Sequence, residues 1–209
     1  MVTTKGLSTM RARERRKVRV PQAVFVLLVF LGFLQARNFA TAMSGVMATH
    51  FGASGAANGW QSKDQFFFVE IVLLCVCLLI GFGVPAIIAK VPPSLVNLPN
   101  KEFWLAPVRR DHTLAVFRIQ MAWFACALIT FLIIVNQLVY NANQTVPRQL
   151  NAPQFTMAMV AFLGFVLFQG RSDLSQDFVA DASQHFHGAQ LDDLLDGGQH
   201  GYLFCAARS

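Results

Sequence analysis

The run FFFVEIVLLCVCLLIGFGVPAIIA, residues 66–89, constrains this chain more than any other feature. It holds 24 residues and a single carboxylate or basic side chain, Glu70. As a helix it would reach about 36 Å, whereas a bilayer core of roughly 30 Å is crossed by about 20 residues. For such a rod in a chain of this size, lipid is the natural solvent. Pro85, preceded by Gly81 and Gly83, predicts a kink or local unwinding near one end.

Three further runs follow the same logic. AVFVLLVFLGFL, residues 23–34, is too short to span by itself. Extended to a span near 21–40 it takes in Arg37, whose long side chain can snorkel to the headgroups, and Pro21 suits a helix start. The basic residues before it and Ala40-Thr41-Ala42 after it also resemble a cleavable signal peptide. Gln35, Arg37 and Asn38 make that cleavage spacing awkward, so the run is read as a retained span. A third span is expected near 113–140 and a shorter fourth near 153–169. The chain is 55% hydrophobic and 13% charged, far from the roughly 25% charged of soluble domains. The expected fold class is therefore all-α: a polytopic membrane protein of about four transmembrane helices with short loops. Residues 1–20 form a basic N-tail, 21–170 the membrane domain, and 171–209 an acidic tail.

Charge placement gives an expected orientation. Seven basic residues precede the first span, and Lys90, Lys101, Arg109 and Arg110 lie between the second and third. Arg171 follows the fourth, while the opposite side holds Arg37, Lys63 and Arg148. Basic residues concentrate on the cytoplasmic side, so both termini are expected in the cytoplasm and residues 48–63 outside. RARERRKVR alone would permit nucleic-acid binding, but beside an apolar run it reads as a topology signal facing anionic lipid; no nucleic-acid partner is expected.

The outward loop ATHFGASGAANGWQSK, residues 48–63, carries the candidate site. Its glycines allow tight turns, Trp60 favours the membrane interface and Lys63 reaches phosphates. It reads as a re-entry turn with an aromatic anchor. The functional alternative is a small recognition feature built on His50, Asn58 and Trp60, taking a peptide or protein partner on the outer face. One histidine is a poor metal site, and no metal or cofactor is expected. The loop at 91–112 holds four prolines, which oppose one long helix. Phe103, Trp104 and Leu105 there suggest a segment on the membrane surface, and Asn97-Leu98-Pro99-Asn100 a turn.

Glu70 lies about one turn into the second span, on the side of Arg37, and an Arg37–Glu70 pair would lower the cost of both. A structural pair is the plainer role, and a transport pathway the functional one. Cys75, Cys77 and Cys126 sit in apolar runs as small hydrophobes. The tail after residue 171 reads as amphipathic or unstructured, although His185, His187 and its aspartates could hold a metal weakly. No nucleophile elbow, phosphate loop or HExxH motif appears, and no enzymatic activity is expected.

HFGASGAANGWQSK at 50–63 resembles the His-Phe…Gly…Trp-x-Ser-Lys signature of the bacterial membrane family known as domain of unknown function 1648. NLPNKEFWLAP with Arg109-Arg110 resembles the continuation found in one branch of that family. The likeness covers roughly residues 22–145. It departs where the family has a Leu-Pro pair before the histidine and this chain reads SGVMATH. The resemblance implies a bacterial cytoplasmic membrane, a retained first span, and His50, Phe51, Gly55, Gly59, Trp60 and Lys63 as the motif positions. It also implies kinship with the N-terminal domain of a toxin-immunity and signalling protein. The expected function is non-enzymatic sensing, immunity or partner binding; the alternative is a small transporter component using Glu70 and Arg37.

Overall fold

A computed structural model describes residues 4–43, 45–97, 101–107 and 109–171. The acidic tail, with His185 and His187, and the Pro99 turn lie outside the described residues. Four helices are long and apolar enough to cross a membrane, over Val18–Ala42, Lys63–Lys90, Arg110–Asn143 and Ala152–Arg171. The protein is a multi-pass, predominantly helical membrane protein, as the run lengths predict.

The first helix, α1 (Thr4–Ala42), does not start at Pro21 but runs through it. Membrane helices tolerate an internal proline where neighbouring groups satisfy the disturbed backbone. Here Pro21 is buried; its missing N–H frees the Lys17 carbonyl, while the Cys126 thiol donates to Pro21's own carbonyl at 3.5 Å. The second rod comprises α2 (Lys63–Leu78), a π-helical turn at Leu79–Gly83, and α3 (Val84–Lys90). The π-turn stands immediately before Val84-Pro85, where the sequence predicts distortion. The 91–112 connection contains one 3-10 turn (Pro93–Leu95) and the short α4 (Lys101–Trp104). Its end is tied down by Thr113 Oγ1 donating to the Trp104 carbonyl at 2.8 Å. The third span is α5 (Arg110–Asn143) and the fourth is α6 (Ala152–Arg171).

The chain divides into two compact units, Met1–Gly164 and Phe165–Ser209; of the second, only the end of α6 is described. Within the first, α1 packs most extensively on α5, and α2 on both. The inward stripe of α1 is Pro21, Phe25, Ala36 and Phe39, at helical spacing; that of α2 is Phe66, Glu70, Leu74 and Cys77. Lipid tails are as apolar as leucine, so close approach rather than apolar burial drives such packing. Gly81 shows it: a Cβ there would lie 2.5 Å from the Phe25 ring. Phe131 of α5 stacks on Phe162 of α6, centroids 5.1 Å apart.

Two apolar clusters fill the first unit. One joins Phe25, Leu74, Cys77, Ala125, Cys126 and Ile129. The other joins Phe39, Met43, Met47, Phe66 and Val139, nearer the α1–α2 connection. That connection is no irregular turn. It is an antiparallel hairpin of β1 (Val46–Phe51) and β2 (Ala57–Ser62).

Candidate functional site

The hairpin is fixed by its own turn and by the helix ends beneath it. At the tip, Gly52 N–H donates to the Ala56 carbonyl and Gly55 N–H to the Gly52 carbonyl, both at 2.8 Å. Gly55 has φ +81°, and a Cβ there would lie 2.5 Å from the Leu150 carbonyl oxygen. Both the left-handed backbone and the close approach require glycine. At the other end, Ser62 caps α2. Its hydroxyl accepts from Gln65 N–H at 3.2 Å, and the Gln65 side chain accepts from Ser62 N–H at 3.1 Å. The Trp-x-Ser-Lys part of the motif is thus a strand-to-helix junction closed by a capping box.

Three residues from the far side of the sequence hold the outer edge of β1 and the tip. Asn143, the last residue of α5, accepts from Ala48 N–H and donates to the Ala48 carbonyl, each at 2.8 Å, replacing a missing strand. Arg148 donates to the Val46 carbonyl at 3.3 Å and stands 4.9 Å over the Trp60 ring. Leu150 N–H donates to the Gly55 carbonyl at 2.8 Å, beside a bridge between Ala56 and Gln149. An exposed strand edge invites unwanted pairing, and these contacts cover it.

The motif residues divide accordingly. Met47 and Ala48 are buried beneath the hairpin, and Phe51 is half-buried against the apolar cluster nearer the α1–α2 connection. His50 is exposed and lies across from Gly59, which follows Asn58 and precedes Trp60; a Cβ on Gly59 would come within 2.8 Å of His50 Cβ. Trp60 remains 50% exposed despite Arg148. Lys63 opens α2 with its side chain exposed. The hairpin therefore buries its apolar members and presents His50, Asn58, Trp60 and Lys63.

The second predicted constellation needs correction. Glu70 is buried, 6% exposed, but it accepts a hydrogen bond from Asn136 of α5 rather than pairing with Arg37. Arg37 is exposed: it follows buried Ala36 by one residue, which turns it about 100° off the inward stripe. What accompanies Glu70 instead is a layer of amides. Gln35 donates to the Ile133 carbonyl at 3.0 Å and to Gln137 at 3.4 Å, and Gln137 donates to Asn141 at 3.0 Å. Gln35, Glu70 and Asn136 each lie seven residues from the hairpin end of their helix (Ala42, Lys63 and Asn143), a depth of about 10 Å. This polar layer separates the two apolar clusters. The shared seven-residue offset is the signal that unites Asn136 with Gln35 and Glu70.

Beside the hairpin, Ser54, Asn141, Thr145, Gln149, Asn151 and Gln154 line part of an open cleft. Among the described residues, no three His, Cys, Asp or Glu side chains gather as a metal-binding group. Searches against family profiles, curated proteins and solved structures find no match, so the family resemblance rests on its quoted residues.

Proposed function

We propose that this protein is a non-enzymatic recognition protein, which holds a rigid hairpin at the outer face of a cytoplasmic membrane for a peptide or protein partner. The observation that carries this reading is the double hydrogen bond of Asn143 to Ala48, which fixes the hairpin while His50, Asn58 and Trp60 stay exposed. Besides covering the strand edge, the clamp holds the hairpin in one shape, which lowers the ordering cost of binding a partner. The distribution of basic residues supports cytoplasmic termini and an outward hairpin. The resemblance to domain of unknown function 1648 supports a bacterial membrane and an immunity-like or sensing role. The transporter alternative requires Arg37 beside Glu70, and the exposed Arg37 weakens it.

A photo-reactive phenylalanine analogue in place of His50, in cells carrying the full chain, tests this. A discrete protein adduct that disappears when Asn143→Ala is added supports recognition by the fixed hairpin. No adduct from His50, Asn58 or Trp60 positions, with the chain inserted and expressed normally, removes the proposal.

A further inference from the structure

A shallow groove beside the hairpin is lined by Trp60, Gln61, Asp64, Gln65, Phe68 and Val69. Its composition changes along α2. The first turn is polar, with Asp64 and Gln65 exposed, and the next presents Phe68 at 68% exposure and Val69. Below them Val72, Val76 and Leu79 continue the exposed apolar stripe down the span. Polar above and apolar below, over a few turns, matches the boundary between headgroups and acyl chains.

Charges at the top narrow the occupant. Asp64 is exposed and makes no ion pair among the described residues, so its carboxylate is available to a cation. One cation already stands over the indole, since Arg148 lies 4.9 Å above the Trp60 ring. A carboxylate lining the groove and a guanidinium over its aromatic plate complement a headgroup with an ammonium beyond a phosphate. A purely anionic headgroup would meet Asp64 unfavourably. A trimethylated ammonium has no N–H to donate to that carboxylate, whereas a primary ammonium has three.

We propose that this groove is a binding site for a phosphoethanolamine lipid: ammonium on Asp64, phosphate toward Arg148, and an acyl chain along Phe68, Val69 and Val72. This site lies beside the hairpin and shares Trp60 with the recognition surface, and it stands whether or not a soluble partner engages His50 or Asn58.

The test uses the full chain with Trp104→Phe and Trp123→Phe, leaving Trp60 as the single tryptophan. It is reconstituted with brominated-chain phosphatidylethanolamine, phosphatidylcholine or phosphatidylglycerol in an unbrominated background. Half-maximal quenching of Trp60 is expected at a mole fraction about threefold lower for the ethanolamine lipid, the scale of one exposed ion pair. Asp64→Asn should erase that preference and Asp64→Glu should keep it, with thermal unfolding confirming that each variant is folded. Equal quenching by all three lipids, a preference for the glycerol headgroup, or a preference untouched by Asp64→Asn would overturn the site. A photo-reactive analogue at Phe68 in native membranes gives a second arm. An adduct with the mass of a phosphoethanolamine lipid supports the proposal, and an adduct to protein alone contradicts it.

Discussion

Asn143 and Ala48, 95 residues apart, are joined by two hydrogen bonds of 2.8 Å that complete the outer edge of β1 with a side-chain amide. Asn143 also donates to the Val139 carbonyl at 2.9 Å, so the same amide finishes α5 and begins the sheet. Replacing it with alanine leaves a half-buried backbone N–H and C=O without their partners. Asn143→Ala should cost about 1–3 kcal/mol in detergent unfolding. Hydrogen exchange should accelerate over residues 46–51 while the 110–140 amides stay protected. Asn143→Asp keeps the acceptor for Ala48 N–H but turns an oxygen toward the Ala48 and Val139 carbonyls, and should cost at least as much as Asn143→Ala.

Two glycines with positive φ separate backbone strain from docking. A Cβ on Gly45, φ +76°, would meet nothing within 4 Å, whereas on Gly55 it would meet the Leu150 carbonyl. Gly45→Ala should cost about 1–2 kcal/mol from the left-handed conformation alone. Gly55→Ala should cost about 1–3 kcal/mol more, because backbone must move to admit the methyl. Parallel unfolding of the two variants checks this, and equal losses would mean the Leu150 contact is dispensable.

The polar layer predicts a coupling between Glu70 and Asn136. Asn136→Leu strands a buried carboxyl group and should destabilise by about 2–3 kcal/mol. Glu70→Leu strands the amide and should also destabilise. The double leucine variant should recover much of either loss, since removing both polar groups leaves neither unpaired. A double-mutant cycle by unfolding measures this; additive losses would mean the two groups do not interact. Glu70→Gln preserves a hydrogen-bonding shape and should insert and unfold like the parent.

Gly81→Ala should be among the most damaging small changes in the spans, because the added methyl collides with the buried Phe25 ring beside the π-turn. A loss of about 1–3 kcal/mol is expected. Phe25→Leu in the same chain should return part of it, read as a rise in unfolding temperature over Gly81→Ala alone.

The spans were legible because each depends on a local quantity, the length of an apolar run. Pro85 with its glycines was legible for the same reason, and the π-turn at Leu79–Gly83 stands beside it. The hairpin was not, because its decisive partners are distant in sequence: Asn143, Arg148 and Leu150 acquire their roles only when the ends of α1, α2 and α5 meet. The start of α1 was misread at Pro21 because a proline that often marks a helix start is tolerated inside a membrane helix. Glu70 was identified as the exceptional acid, yet its partner was sought among opposite charges. A buried carboxyl group can be satisfied by a neutral amide, and the inward stripe of α1 excludes Arg37.

The most direct test of a hairpin held outside the membrane as a fixed recognition surface is the accessibility of its tip. Ala53 is exposed at that tip. Ala53→Cys, in a full chain whose four native cysteines are replaced by serine or alanine, is treated with a membrane-impermeant maleimide in right-side-out and inside-out vesicles of the host cytoplasmic membrane. Labelling confined to right-side-out vesicles is the predicted result, with Arg19→Cys labelled only in inside-out vesicles. Labelling of Ala53→Cys only from the cytoplasmic side would contradict it.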